Sequence, residues 1–200
     1  MNYPQRCYTR PGATFPSIRA VVAYVPSGLV HGGYPPLGHS AWTYGGEEVP
    51  YLRRMSQEAF EAAVQQAKAE GRPTDWLSLA LAHEPSVGPA TIRVERIHGP
   101  VLLISGREDR QWPSERLADI AFQRLQAQAF PHRYAHLRYA DAGHNIGWPN
   151  VPTTETRFKH PVSGVEIDHG GTARGTAFAS SDSWGHLLRF LTDAFTRPPD

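Results

Sequence analysis

Only one cysteine, Cys7, stands among the 200 residues. A lone thiol closes no internal disulfide, which excludes a disulfide-stapled scaffold and makes a reducing compartment the expectation. An excess of one charge is also missing. Twenty Lys and Arg face nineteen Asp and Glu, for a net charge of +1. No basic block or stripe occurs, so nucleic acid and anionic membrane are not implied as partners. Long hydrophobic runs are lacking too. Ala20 to Val25 is among the longest, far below the roughly 20 residues that span a bilayer. The stretch Met1 to Cys7 has no apolar run after its first charge, so no secretory leader is expected. A cytoplasmic protein without a membrane segment is the expectation.

Several metal and cofactor signatures are missing as well. There is no His-Glu-x-x-His, no paired Cys-x-x-Cys and no phosphate-binding glycine loop. His132 and His136 have i, i+4 spacing, but on a strand they would lie roughly 13 Å apart, too far to share an ion. Neither a metal nor a cofactor is implied.

What is present begins with glycine and proline, 18 of each, above average usage, so long loops are expected. Hydrophobic residues make up 40%, enough for a core. Residues 1–17 read as an irregular N-terminal segment and 18–197 as one α/β unit. Ile18 to Val25 is rich in β-branched residues and predicts a strand buried on both faces. Residues 28–54 read as a long loop. Ser56 caps a predicted helix with the stripe Phe60, Ala63, Val64 and Ala67, stopped by Gly71 and Pro73. Asp75 caps a shorter helix, Trp76 to Ala82, and residues 83–98 read as loop or weak strand.

From Pro100 the pattern sharpens. Val101 to Ser105 is a buried-strand run ended by Gly106. Ser114 then caps a helix with Leu117, Ile120, Ala121 and Leu125 on one face. Tyr134 to Tyr139 is a second strand, and Asp141 to His144 a turn. Residues 147–175 read as loop. Trp184, Leu187, Leu188, Leu191 and Phe195 mark a final helix. Strand, helix, strand, helix in this order predicts a parallel sheet of about three strands flanked by helices. Ligands bind at the carboxyl ends of such strands. Asp109 follows one strand and His144 the next, so neighbouring parallel strands would bring both turns to one edge. A carboxylate there fixes the imidazole's tautomer, and the imidazole can take a proton from a Ser or Cys nucleophile. Glu108 is an alternative acid. A turn aspartate and a surface histidine are the plainer readings of the same two residues.

The segment Gly99 to Ser114 resembles the acid-bearing segment of the acyl-CoA thioesterase and bile acid-CoA:amino acid N-acyltransferase family. Phe130-Pro131-His132, His136 to Tyr139 and Ala142-Gly143-His144 resemble its histidine segment. Ile18 to Ser27, Ser40 to Gly46 and Gly170-Gly171-Thr172 also match. The resemblance covers about residues 13–195. It implies the C-terminal part of an α/β-hydrolase fold, Asp109 as acid, His144 as base, and acyl-CoA or another thioester or ester as substrate, with either water or an amine as acceptor.

The same resemblance implies a nucleophile elbow, Gly-x-Ser-x-Gly or a Cys version, at or just before Met1. Asn2 to Arg10 do not form one, because an elbow leads into a helix that Pro4 and Pro11 oppose. The family's immunoglobulin-like domain and first sheet strands are not found in these residues either. Ser40 in Gly38-His39-Ser40 lacks the second glycine, and Cys7 has the wrong neighbours. Ser27 and Ser105 end strands, where a hydroxyl usually bonds nearby backbone. Trp42, Trp112 and Trp148 could line an acyl site or simply pack. Two expectations follow. Either the gene product is a thioester hydrolase whose serine lies upstream, or this is a truncated or degenerate, non-catalytic relative that binds acyl ligands or a partner chain. The isolated chain is expected to be inactive, with a sheet edge open to a partner chain.

Overall fold

The structure is a computed structural model. It describes residues 9–33, 38–71, 75–159, 164 and 166–196. Two compact units divide the chain, residues 1–28 with 93–200, and residues 29–92.

The first unit opens with helix α1 (Thr9–Thr14), where Pro11 and Gly12 predict irregular chain. Pro11 sits in its first turn, where a missing N–H costs nothing. Strand β1 (Val21–Tyr24) follows. It is shorter than predicted and not buried throughout. Val21 and Ala23 are buried, while Val22 and Tyr24 are partly buried. The reason is position. Among the described residues β1 pairs on one side only.

Residues 29–92 form the second unit. The predicted loop contains a short hairpin, β2 (Thr43–Tyr44) with β3 (Glu47–Glu48), turned by Gly45 and Gly46. Helix α2 (Gln57–Ala69) starts as predicted, with Ser56 Oγ accepting from the Ala59 N–H at 3.2 Å. Its stripe packs as expected, with Ala63, Ala67 and Leu79 buried and Phe60 and Val64 against them. Asp75 caps α3 (Trp76–His83) through the Ser78 N–H at 2.9 Å. A short helix, α4 (Val87–Ala90), occupies part of the stretch that read as loop.

Back in the first unit, a single 3-10 turn at Val94–Arg96 leads to β4 (Val101–Gly106), buried at every residue. Helix α5 (Ser114–Ala127) and strand β5 (Tyr134–Tyr139) follow. The sheet order is β1-β4-β5, all parallel. Val21 pairs with Val101, and Leu103 with His136. This is the predicted three-stranded parallel sheet with flanking helices. Leu117, Ala118, Ala121 and Leu125 form the buried face of α5, and Ile120 is only partly covered. Ser114 does not cap the helix. Pro113 holds that position, and the buried Ser114 hydroxyl donates instead to the Gly106 carbonyl at 3.4 Å.

A hairpin, β6 (Arg157–Lys159) with β7 (Glu166–Asp168), lies inside the second predicted loop. Helix α6 (Ala173–Thr196) closes the unit and begins eleven residues before Trp184. Its first half is buried through small residues, Thr176, Ala179, Ser180 and Ser183, which let it approach the sheet closely. The predicted apolar face is covered only in part, with Leu191 against the core and Trp184 and Leu187 half-buried. Leu188 and Phe195 are exposed, while Ala179 and Phe190 pack with Leu102, Ile104, Ala142 and Ile146. A fully buried leucine or isoleucine of this kind contributes about 1.5–3 kcal/mol.

Candidate active site

Strand β4 ends at Gly106, and residues 107–113 turn across the carboxyl end of the sheet before α5. Strand β5 ends at Tyr139 and its turn carries His144. Because β4 and β5 are parallel neighbours, both turns fall at one edge. The Asp109 and His144 side chains meet there, with His144 Nδ1 2.9 Å from Asp109 Oδ2. An ionised carboxylate only accepts, so Nδ1–H is the donor and the Nε2 lone pair is left free. The other carboxylate oxygen, Oδ1, accepts from the Gln111 and Trp112 backbone N–H groups, each at 3.1 Å. The Asp109 side chain is 0% exposed and that of His144 19%. The carboxylate is thus immobilised in the interior while the imidazole reaches solvent. Glu108 is exposed and makes no contact with the ring. The structure therefore selects Asp109 over Glu108 as the imidazole's partner.

The backbone explains how the two turns lock. Glu108 N–H donates to the Ala142 carbonyl at 3.1 Å, and Thr172 N–H to the Asp141 carbonyl at 2.9 Å. Asp109 and Gly170 form an antiparallel bridge. Gly170 stands at φ +67, and a Cβ there would overlap the Glu108 carbonyl oxygen. Only glycine fits between the acid turn and the chain leaving β7. The Gly-Gly-Thr run before α6 is thus part of the site's frame.

Two rings flank His144. Trp112 meets it edge-on, with centroids 5.9 Å apart at 81°, and its indole N–H is anchored on the Val25 carbonyl at 3.1 Å. His169 stacks parallel to it, 6.0 Å away at 9°. The His144 backbone N–H also donates to the His169 carbonyl at 2.8 Å. Burial, and then the nearby His144, hold the His169 imidazole below its ordinary value. His169 was not legible from sequence, since β6 and β7 are short and mostly polar.

None of the serines considered as substitutes bonds His144. Ser40 Oγ is turned onto its own loop, accepting from the Trp42 N–H at 3.2 Å. Ser27 is buried, and Cys7 lies outside the described residues. Trp148 is largely exposed. Among the described residues no hydroxyl or thiol bonds His144 Nε2, and no group of three or more His, Cys, Asp or Glu could hold a metal ion. No helix among them is long and apolar enough to cross a membrane.

Ser105 does not bond nearby backbone as expected. Its Oγ lies 2.7 Å from His136 Nε2, and His136 Nδ1 lies 3.1 Å from Asp119 Oδ1. Asp119 also holds Arg138 at 2.5 Å. The connectivity is serine to imidazole to carboxylate. The location is wrong for turnover, because Ser105 and the His136 side chain are 0% exposed. Of His132 and His136, only His136 lies on β5, and His132 precedes the strand. His136 faces Asp119, and His132 lies against Phe130 at 5.3 Å.

Comparison with known proteins fits this geometry. The family model for the BAAT / acyl-CoA thioester hydrolase C terminal matches residues 13–197. The chain belongs to that family. Relatives of this BAAT / acyl-CoA thioester hydrolase C-terminal chain include the mouse peroxisomal succinyl-coenzyme A thioesterase, 32% identical over 103 residues, 52% of this chain and 24% of that protein. Human acyl-coenzyme A thioesterase 6 is 33% identical over 100 residues, 50% of this chain and 23% of that protein. Human acyl-coenzyme A thioesterase 1 is 33% identical over 112 residues, 54% and 26% respectively. This family member therefore spans about a quarter of the length of those curated relatives.

Proposed function

We propose that this chain provides the acid and the base of an acyl-CoA thioester hydrolase. The observation that carries the reading is the Asp109–His144 bond of 2.9 Å at the carboxyl edge of a parallel sheet, with no hydroxyl or thiol bonded to Nε2 among the described residues. The family and the names of the relatives support acyl-CoA as the substrate class. In this reading His144 Nε2 takes the proton of a serine or cysteine nucleophile. The nucleophile attacks the thioester carbonyl carbon, the carbon–sulfur bond breaks, and His144 returns the proton to the departing CoA thiolate. Water, deprotonated by the same imidazole, then cleaves the acyl-enzyme. Asp109 holds the imidazole with Nδ1–H toward the protein and stabilises the imidazolium formed in each step.

The nucleophile belongs to none of the described serines that were weighed above. We propose that it comes from residues outside the described set, and that another segment or chain pairs the second edge of β1. Residues 18–197 would form one functional domain, and a reducing, cytoplasmic compartment fits the single cysteine.

The test is CoA thiol release from acyl-CoA of several chain lengths, by these 200 residues and by the longest product of the same reading frame. Hydrolysis by a product that carries a Ser or Cys elbow is the expected result. No hydrolysis by either, together with acyl-CoA binding, would replace this reading with a non-catalytic acyl-binding one.

A further inference from the structure

Three planar rings form a column at the edge of the site. Phe158 of β6 stacks on His169 with centroids 5.0 Å apart at 19°, and His169 stacks on His144 at 6.0 Å and 9°. The column is fixed at both ends. His144 Nδ1 is tied to Asp109, and Phe158 belongs to the β6–β7 hairpin, paired with Ile167. His169 is itself held twice. Its backbone N–H donates to the Thr156 carbonyl at 2.8 Å, and its Nδ1 lies 2.7 Å from Gln111 Oε1. An amide oxygen accepts, so His169 carries its proton on Nδ1 and points a free Nε2 away from that bond.

We propose that His169 is a positioning residue for His144. It acts as a flat plate that keeps the His144 imidazole in the one orientation that joins Nδ1–H to Asp109 and presents Nε2 outward. This rests on the reading of His144 as the catalytic base.

The physical case has three parts. The His144 side chain sits on a turn and is 19% exposed, so a single hydrogen bond to Asp109 leaves it free to rotate about that bond. The parallel His169 ring, together with the Trp112 ring set nearly perpendicular to it, removes that freedom. Next, burial and then the neighbouring imidazole hold His169 below its ordinary value, so its neutral form is favoured. A neutral aromatic face beside an imidazolium attracts, whereas a second cation would repel. Lastly, Gln111 links the two. Its backbone N–H holds Asp109 Oδ1 while its side chain holds His169, so the acid and the plate are referred to one residue.

The experiment reads the His144 ring directly and needs no turnover. Long-range proton–nitrogen correlation spectra of the histidine side chains give the tautomer of His144 in the full chain, compared between wild type, His169→Ala and His169→Phe. Wild type should show His144 almost wholly protonated on Nδ1, with a slowly exchanging proton shared with Asp109. His169→Ala should shift the tautomer ratio about two- to tenfold toward Nε2–H, as expected for losing one aromatic pair, and broaden that proton. His169→Phe keeps the plate without its nitrogens and should restore both. An unchanged His144 signal in His169→Ala overturns the proposal, and so does a Phe variant as perturbed as the Ala one. If His169→Ala fails to fold, Phe158→Ala withdraws the plate's support from behind and should weaken the same signal, and no effect there overturns the idea. A chain that passes this test, when neither it nor the longest product of its reading frame hydrolyses thioester, sinks the proposed function alone. Active enzyme with an unperturbed ring sinks only the plate.

Discussion

Asp109 and His144 meet beyond the carboxyl ends of β4 and β5, whereas Asp119 of α5 and His136 of β5 meet between that helix and the strand. Both are a carboxylate bonded to an imidazole Nδ1, at 2.9 and 3.1 Å. The second pair even carries a serine on Nε2. They differ in access. The His136 side chain is 0% exposed and both its nitrogens are used, while His144 is 19% exposed and keeps Nε2 open. Connectivity alone does not separate the proposed catalytic pair from the buried one. A catalytic imidazole needs a nitrogen that substrate can approach, and a structural one needs both nitrogens satisfied in the dry interior.

The comparison can be broken at either end, and the largest expected effect is at the rim. Asp109→Asn keeps the shape but offers His144 Nδ1 an amide that can favour the wrong tautomer. In whichever product is active, kcat/KM for acyl-CoA should fall about 10⁴-fold, with little change in melting temperature. A drop of less than tenfold would mean that Asp109 does not set the tautomer.

At the buried pair the effect should be on stability. His136→Ala opens a cavity and leaves the buried Ser105 hydroxyl without its partner, for a cost of about 3 kcal/mol. Urea denaturation measures it, and a midpoint equal to wild type would show that this network is not structural.

The same residue gives a pH signature. Burial, and next the Arg138 charge, hold His136 down at about 4, against roughly 6.5 in an unfolded chain. Between those values the unfolded chain takes up a proton that the folded one does not. Stability from this group is therefore complete above about pH 6.5 and is lost as pH falls toward 4, by about 2–3 kcal/mol. Denaturation midpoints of wild type and His136→Ala across that window should converge as pH falls. Parallel curves would place the proton elsewhere.

The smallest effect belongs to the charge fringe of this face. Arg107 pairs with Glu115 at 3.0 Å but is 56% exposed, so Arg107→Ala should change stability by no more than about 0.5 kcal/mol. A loss above 1 kcal/mol by the same denaturation would show that the fringe does more than screen.

Legibility in the sequence followed this division. Asp109 and His144 could be read because each follows a strand-like run, Val101 to Ser105 and Tyr134 to Tyr139, and parallel order then places both at one edge. Ser105 and His136 could not be joined from sequence. They meet diagonally across β4 and β5, and that contact exists only once Leu103 is in register with His136. His169 was hidden for another reason. Arg157–Lys159 and Glu166–Asp168 are short, largely exposed strands with no alternating apolar pattern. The first half of α6 escaped because small polar residues, Ser180 and Ser183, fill its buried face, so hydrophobic spacing pointed only to the later turns. Ser56 and Asp75, by contrast, cap as read, since a cap depends on local chain alone.

The most direct test sets the two imidazoles against each other. CoA thiol release from acyl-CoA would be followed for wild type, His144→Ala and His136→Ala, in the active product, below the melting temperature of all three. The account predicts that His144→Ala falls to background while His136→Ala stays within a few-fold of wild type. Hydrolysis that survives in His144→Ala, or that vanishes in a folded His136→Ala, would contradict it.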